Sequence, residues 1–187
     1  MAIAQRRLTL DEFLVLPEEE PALELEPDGT VIQKVSPKGQ HSRLQLALCE
    51  RINRFAENRR LALAFPELRA IFGGAAYVPD VAVYRWERIP RLPDGKVAND
   101  FRLPPDVAIE VVSSEQSPNA LVRRCVWYTA NGVQVALLVD PADESVLLFR
   151  QDAAPRALRG PDPIDLADVL PGFQLTAGEL FDALRLG

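Results

Sequence analysis

The sequence has few of the residues that build disulfide frameworks and histidine metal sites. Its 187 residues include one histidine and two cysteines, so a multi-histidine metal site is excluded. Cys49 and Cys125 fall in helix-like segments and are expected to be reduced, apolar side chains, not a disulfide or a zinc pair. No apolar run approaches the ~18 residues of a membrane span, and the first residues, MAIAQRRLTLDEF, contain no signal-peptide core. We therefore expect a cytoplasmic protein that does not enter a membrane.

Lysine is also scarce, and the chain is acidic. Only Lys34, Lys38 and Lys96 occur, the formal net charge is −6 and the isoelectric point is about 4.9. A broadly basic nucleic-acid surface is therefore absent, although a local patch can still bind phosphate. The polar segment Arg85 to Arg102 carries several basic residues and is the best candidate for such a patch, with an ordinary solvated loop as the alternative.

Apolar residues are abundant, at 48% of the chain, which suffices for the core of one domain. We expect a single domain over residues 1–187, with an N-terminal helix and hairpin at about 8–35 and a C-terminal extension at about 151–187. Thr9 and Glu12 form a capping-box pattern for the first helix, and 153–163 is proline-rich and loop-like. Hydrophobic periodicity predicts a hairpin at 22–35, a helix at 40–58, strands at 61–65 and 68–72, a helix at 118–130, a hairpin at 133–149 and a last helix at 177–184.

The stretch Pro104–Ser114, PPDVAIEVVSS, is typical of a buried strand interrupted by one carboxylate, Glu110. A strand that is apolar on both faces is usually central in a sheet covered by helices. Burying an ionised carboxylate there costs roughly several kcal/mol of folding free energy unless a cation or strong hydrogen-bond donors pair with it. Glu110 therefore has a partner in a functional site, or it lies solvated at the strand end or pairs with an arginine.

A second strand-like run, Ala75–Tyr84, is also interrupted by one acid, Asp80. Pro79 cannot donate to a sheet ladder, so we expect an irregular or edge strand at this point. Two such strands can bring Asp80 and Glu110 together. Paired carboxylates with an open face suit Mg²⁺, which takes few protein carboxylates and keeps several waters. The two runs therefore predict a hard-cation site.

His41 lies in the first turn of the predicted helix, three residues before Leu44 and on the same face. One interpretation is a capping or packing histidine. The other is a site residue held beside an anion by the positive end of the helix. The sequence leaves both open.

A set of short motifs runs in order along nearly the whole chain. They are LTLDEF (8–13), ELEPDG (24–29), SP (36–37) with His41, VPDV (78–81), PDVAIEVVS (105–113), YTANGV (128–133), VDP (139–141), LPGF (170–173) and ELF (179–181). The ordered set with its spacings resembles the bacterial putative restriction endonuclease family of the PD-(D/E)xK nuclease superfamily. No single motif carries this resemblance.

The resemblance implies an α/β (α+β) fold that is restriction-endonuclease-like, with a mixed central β-sheet flanked by helices. It implies that Asp80 and Glu110 are catalytic and ligate Mg²⁺ or Mn²⁺, with the carbonyl of Val111 as a further ligand. Glu24 would be a third catalytic acid, and His41, near it, would also belong to the catalytic residues. The alternative for Glu24 is an ordinary acid on an exposed hairpin.

The sequence departs from the superfamily pattern at its lysine. The position two residues after Glu110 is Val112, and the helix position where relatives often carry the lysine, 14 residues after the glutamate, is Arg124. Arginine can hold a phosphate or stabilise developing negative charge, but its pKa, above ~12, prevents it from acting as a base. We expect Arg124 to be an electrostatic clamp, with a helix-face salt bridge as the alternative. Lys34 could reach in from the hairpin, but no pattern in the sequence indicates it.

The preferred interpretation is an enzyme, a metal-dependent endonuclease that hydrolyses DNA phosphodiester bonds. By family resemblance it would be a homodimer or a higher homo-oligomer. One alternative is a catalytically impaired nuclease-fold protein that binds nucleic acid or assembles subunits, which Arg124 and the acidic isoelectric point favour. Another is a hydrolase of smaller phosphate esters. The presence of Glu24, Asp80 and Glu110 together favours a working metal site.

Overall fold

The computed structural model describes residues 7–114 and 116–186. The first six residues, in which the sequence predicts no signal-peptide core, lie outside the described residues, as do Glu115 and Gly187. The helices are α1 Leu10–Leu14, α2 Gly39–Ala56, α3 Pro118–Ala130 and α4 Ala177–Phe181. The strands are β1 Leu23–Leu25, β2 Val31–Gln33, β3 Ala62–Pro66, β4 Ala70–Phe72, β5 Ala75–Tyr77, β6 Val81–Arg85, β7 Val107–Val111, β8 Val135–Asp140, β9 Ser145–Phe149 and β10 Arg156–Arg159.

Strand β7 lies inside a six-stranded mixed sheet with the order β10-β9-β8-β7-β6-β3. It runs parallel to β8 and antiparallel to β6, and all of its residues are buried. Because successive side chains point to opposite faces, Val107, Ile109 and Val111 pack with α2, while Ala108 packs with α3. Glu110 falls on the α3 face by the same alternation. The predicted central strand is confirmed.

Helix α2 covers one face of this sheet. Leu44, Leu48 and Ile52 recur every four residues and are almost fully buried against β3, β6 and β7. Each such side chain contributes roughly 1.5–3 kcal/mol on burial. His41 lies on the same stripe and is therefore held at the sheet surface, only 6% exposed.

Helix α3 covers the opposite face through Leu121 and Tyr128. Its bounds match the predicted helix. The helix ends at Ala130 with Asn131 as its C-cap, because Gly132 follows with a φ of +102°, a left-handed conformation that favours glycine. Arg124 shares the face of Leu121 and Tyr128, so it is directed at the sheet as predicted.

The predicted N-terminal hairpin is confirmed as β1 and β2, which belong to a second sheet with the order β2-β1-β5-β4. The single strand predicted at Ala75–Tyr84 is wrong, because the run divides into β5 in the small sheet and β6 in the large one. Pro79 has no N–H to continue a ladder, and the chain changes sheets there. Asp80 consequently stands at the junction of the two sheets.

The first helix cap and the two cysteines are as predicted, whereas the proline-rich segment near the C-terminus differs. Thr9 caps α1 by the predicted capping box, and Cys49 and Cys125 are unpaired and buried. The segment 153–163 is not only loop, because β10 pairs with β9 as an edge strand. Within the described chain, none of the helices combines the length and apolar character needed to cross a bilayer.

Part of the predicted phosphate patch serves the fold instead. Arg85 Nη1 and Arg88 Nη1 lie 3.3 and 2.6 Å from Oδ1 of Asp106, which is fully buried. The main-chain N–H of Arg85 also donates to Asp106 Oδ2 over 2.8 Å. A buried carboxylate needs such partners, so these two arginines are structural.

Candidate active site

Asp80 is surrounded by donors at the junction of the sheets. Lys34 Nζ lies 2.7 Å from its Oδ1, His41 Nε2 lies 2.9 Å from its Oδ2, and the main-chain N–H of Val111 donates to Oδ2 over 2.7 Å. Burial alone would raise the pKa of Asp80. The hydrogen bond with His41 and the charge of Lys34 outweigh burial and hold this pKa below its ordinary value of 3.8. Asp80 is therefore an anion at neutral pH.

Glu110 lies across from Asp80. Strands β6 and β7 pair Val81 with Ile109, and extending this antiparallel register by one residue sets Asp80 opposite Glu110. The Val111 hydrogen bond to Asp80 fits this placement. The two predicted acids are thus neighbours, as the sequence pattern suggested.

Glu110 differs from Asp80 in its electrostatic surroundings. The Tyr128 hydroxyl donates a 2.6 Å hydrogen bond to its Oε1, and Arg124 Nη1 lies 3.6 Å from the same oxygen. Burial is the largest influence on the Glu110 pKa, and although Arg124 opposes it, Asp80 and Glu24 add to it and the pKa rises to about 7. A buried carboxyl that titrates near neutrality is typical of functional sites.

Glu24 and Arg124 form a buried ion pair between β1 and α3. Arg124 Nη2 lies 2.8 Å from Glu24 Oε2 and Nη1 donates to Oε1 over 3.2 Å, with side chains 1% and 11% exposed respectively. The main-chain N–H of Val78 also donates to Glu24 Oε1 over 2.8 Å. The guanidinium lies over the Tyr77 ring, 4.6 Å from its centroid. Burial raises the pKa of Glu24 above its ordinary value even though Arg124 opposes this.

Lys34 was not among the predicted site residues, although the sequence allowed it to reach in from the hairpin, and the structure places it at Asp80. It follows β2 directly, and its ammonium contacts Asp80 Oδ1 and the Val78 carbonyl, each at 2.7 Å, and Glu67 Oε2 at 3.2 Å. Burial would lower its pKa, but Asp80 and the neighbouring carboxylates hold it above the ordinary value, so the amine stays protonated. A weak signal existed: strand alternation puts Lys34 on the face of Ile32, which is half-buried.

All of the predicted site residues fall in one connected network: Glu24, His41, Asp80, Glu110, Val111 and Arg124. One expectation differs. Arg124 was expected opposite both Asp80 and Glu110, but its nearest partner is Glu24, and among the described residues Asp80 is contacted by the Lys34 ammonium and the His41 ring. Arg124 reaches Glu24 and Glu110 from α3, whereas the side chains that reach Asp80 come from α2, as His41, and from the end of the hairpin, as Lys34.

Lys34 lines two cavities, so the site lies between them. One cavity of about 800 Å³ also includes Gln45, Glu67 and Arg69 in its wall. The other, of about 680 Å³, is lined by the Glu24–Arg124 pair together with Arg123 and Trp127. Guanidinium groups bind phosphates and indole rings stack on bases, so the second cavity has groups suited to a nucleotide.

The oxygen atoms at the junction are of the chemical type that binds a hard divalent cation. Asp80, Glu110 and the Val111 carbonyl are oxygen ligands, and Mg²⁺ is commonly held by one or two carboxylates and waters. Within residues 7–114 and 116–186, no group of three or more His, Cys, Asp or Glu side chains is arranged to hold a metal ion. Glu24 is instead engaged by Arg124, and Asp80 Oδ1 by Lys34.

The fold and this site define a restriction-endonuclease-like α+β protein, with acids on two adjacent strands of a mixed sheet between helices. The family model described as putative restriction endonuclease (Uma2) matches residues 10–178, and the chain belongs to that family. The crystal structure of a putative nuclease belonging to DUF820 from Anabaena variabilis ATCC 29413 is similar, with a TM-score of 0.91 and 37% identity over 95% of this chain and 99% of that chain. No curated protein matches the chain. The predicted family and fold class are confirmed.

Proposed function

We propose that the protein is a metal-dependent endonuclease that hydrolyses phosphodiester bonds of DNA. Its family and its structural neighbour support nuclease activity. The observation that carries the proposal is the 2.7 Å hydrogen bond from the Val111 amide to Asp80, which fixes this carboxylate against the strand that bears Glu110. Two acids on adjacent strands, with cationic side chains beside them, suit a phosphoryl site.

In this proposal Asp80, Glu110 and the carbonyl of Val111 would hold Mg²⁺ or Mn²⁺. The bound ion would supply Lewis-acid polarisation of the scissile phosphate and a lower pKa for the attacking water. Arg124, held by Glu24, presents fixed positive charge where negative charge develops, and such preorganised charge needs no rearrangement during reaction. Arg124 cannot take a proton, because guanidinium stays charged in proteins.

Two further residues act through their neighbours in this scheme. His41 bonds to Asp80 Oδ2 and so fixes the orientation of that carboxylate. Glu24 binds both terminal nitrogens of Arg124, which points the guanidinium towards Glu110. We regard both as positioning residues, a change from the catalytic roles that the resemblance implied.

The cavity beside Arg124 supports a nucleic-acid substrate. Arg123, Arg124 and Trp127 line it, which combines phosphate-binding and base-stacking groups. The choice of DNA rests on the family description. The net charge of −6 predicts that binding relies on this local patch and weakens as salt is added.

A second candidate is a nuclease-fold protein with impaired catalysis that binds nucleic acid. The observation that favours it is the occupation of both acids by the chain's own groups, Lys34 at Asp80 and Tyr128 at Glu110. This candidate predicts DNA binding without cleavage.

Plasmid cleavage separates the two candidates. Supercoiled DNA is incubated with the wild type, Asp80→Ala and Asp94→Ala, with Mg²⁺, Mn²⁺ or EDTA. Asp94 is an exposed loop residue and provides the matched control. We expect metal-dependent nicking by the wild type and by the Asp94 variant, and none by the Asp80 variant. Equal nicking by Asp80→Ala, or wild-type DNA binding without nicking, would refute the proposed hydrolysis at this site.

A further inference from the structure

We propose that the ammonium of Lys34 is an internal counter-cation at Asp80, and that a divalent cation binds this site only by displacing it. The proposal rests on the proposed function, since it concerns the ion that would act at Asp80. What it adds is that the metal ion replaces the Lys34 ammonium at Asp80, and that this exchange sets how tightly the metal binds.

The three oxygens around Lys34 Nζ form a cation site of their own. Asp80 Oδ1 and the Val78 carbonyl are each 2.7 Å away, and Glu67 Oε2 is 3.2 Å away. An ammonium has three N–H donors, one for each oxygen. Carboxylate and peptide carbonyl oxygens are also the ligand types of Mg²⁺ and Mn²⁺. A metal ion on Asp80 Oδ1 would lie within a few ångströms of the ammonium, and two cations so close repel each other strongly. The ammonium and a metal therefore compete for this oxygen.

Lys34 can leave this position while its strand stays in place. Its main-chain N–H donates to the Ala22 carbonyl over 2.9 Å, which anchors the backbone across the hairpin. The ammonium is carried on a flexible four-carbon stem. Because Lys34 lines both cavities, a displaced ammonium has space next to the site.

The charges around the site explain why a resident cation is required. Asp80 is 3% exposed and Glu110 is 2% exposed, and buried carboxylates need compensating charge. The other nearby cation, Arg124, is committed to Glu24. Lys34 therefore neutralises Asp80 in the metal-free protein, and a metal takes over that task when it binds.

The exchange makes a quantitative prediction about metal affinity. The apparent dissociation constant equals the intrinsic constant divided by the fraction of molecules in which the site is vacant, so a vacancy of about 10% weakens binding about tenfold. Removing the ammonium should restore the intrinsic affinity. We expect Lys34→Met to bind Mn²⁺ at least about tenfold more tightly than the wild type.

The experiment measures Mn²⁺ binding to the full chain by calorimetry and by the loss of the free-ion electron paramagnetic resonance signal. The variants are Lys34→Met, Lys34→Gln and the control Lys96→Met, which removes the same charge from an exposed lysine whose side chain is 78% exposed. We expect tighter binding in both Lys34 variants and wild-type affinity in the control.

Equal or weaker Mn²⁺ binding by Lys34→Met and Lys34→Gln, or no binding by any form, would overturn the exchange. Wild-type cleavage with unchanged affinity in the variants would overturn the exchange and leave the proposed function intact. Tighter binding without any cleavage would support the exchange and refute the proposed function.

A second measurement remains decisive if the Lys34 variants do not fold. Lysine acetylation of the wild type is measured by peptide mass spectrometry with and without Mn²⁺. The extent of acetylation at Lys34 should rise several-fold when Mn²⁺ is added, while that at Lys96 stays constant. Acetylation of Lys34 that is unaffected by the metal would overturn the proposal.

Discussion

Replacing Glu110 by glutamine should stabilise the metal-free protein at and above neutral pH. Burial, with the nearby charges of Asp80 and Glu24, raises the pKa of Glu110 from its ordinary value of 4.5 to about 7 even though Arg124 opposes this. Glutamine keeps an oxygen that can accept the Tyr128 hydrogen bond and removes the ionisation. The variant therefore isolates what ionising this buried carboxyl costs the fold.

The sign of the pH dependence follows from proton binding. Because the folded state holds the Glu110 proton more tightly than the unfolded state, this group stabilises the fold fully below pH 4.5, and the contribution is lost as the pH rises through about 7. The difference between these two pKa values corresponds to roughly 3 kcal/mol. Relative to Glu110→Gln, the unfolding free energy of the wild type should fall by up to about 3 kcal/mol between about pH 5 and about pH 8.

Urea unfolding at a series of pH values, with EDTA present, measures this difference. Glu87→Gln, at an exposed position, shows whether removal of any carboxyl gives the same profile. A wild-type minus Glu110→Gln difference that stays flat, or that grows towards acid pH, would refute the reasoning. Asp80 should behave in the opposite sense, because its pKa is lowered and its contribution is lost only as the pH falls below 3.8.

Substitutions at three further positions test the other ion pairs and hydrogen bonds. Arg124→Ala should lower Mg²⁺-dependent plasmid cleavage by roughly 10²-fold or more, and it should lower the unfolding free energy by about 3–5 kcal/mol because Glu24 stays buried without its partner. Arg124→Lys should keep or increase cleavage. Wild-type cleavage by both variants would show that the Glu24–Arg124 pair is purely structural. Asp106→Asn should lower the free energy of unfolding by about 3 kcal/mol, because it breaks two buried ion pairs. An unchanged midpoint of denaturant unfolding would contradict this. Tyr128→Phe should cost about 1.5–3 kcal/mol by the same assay through the lost hydrogen bond to Glu110, and a stabilised variant would contradict it.

The two central acids could be predicted from the sequence because the signal is local. An acid inside an apolar run carries a burial penalty wherever the strand packs, and Asp80 and Glu110 both have this pattern. Lys34 could not be found in this way. Its contact with Asp80 joins residues 46 positions apart in two different sheets, and only the packing of the hairpin against the large sheet creates it.

The break at Pro79 was predictable, but its consequence was not. A missing N–H indicates where a ladder must stop, yet it does not tell whether the chain resumes in the same sheet. Strand β10 was missed because only Leu158 of its four residues is buried, which leaves little alternation to detect. Homo-oligomeric assembly, cytoplasmic location, the single-domain division and the identity of the ion remain predictions from the sequence.

The Glu24–Arg124 pair has a consequence for how the protein is made. Its partners are 100 residues apart in the chain, and α3 is synthesised long after the hairpin that it holds. A contact of such long sequence separation carries the entropic cost of closing a long loop. A ribosome-bound chain that ends before α3 therefore lacks the cation that neutralises Glu24, and we expect its site to be inactive until synthesis has passed that helix. Pulsed hydrogen exchange on stalled chains should show hairpin amides protected no earlier than those of α3.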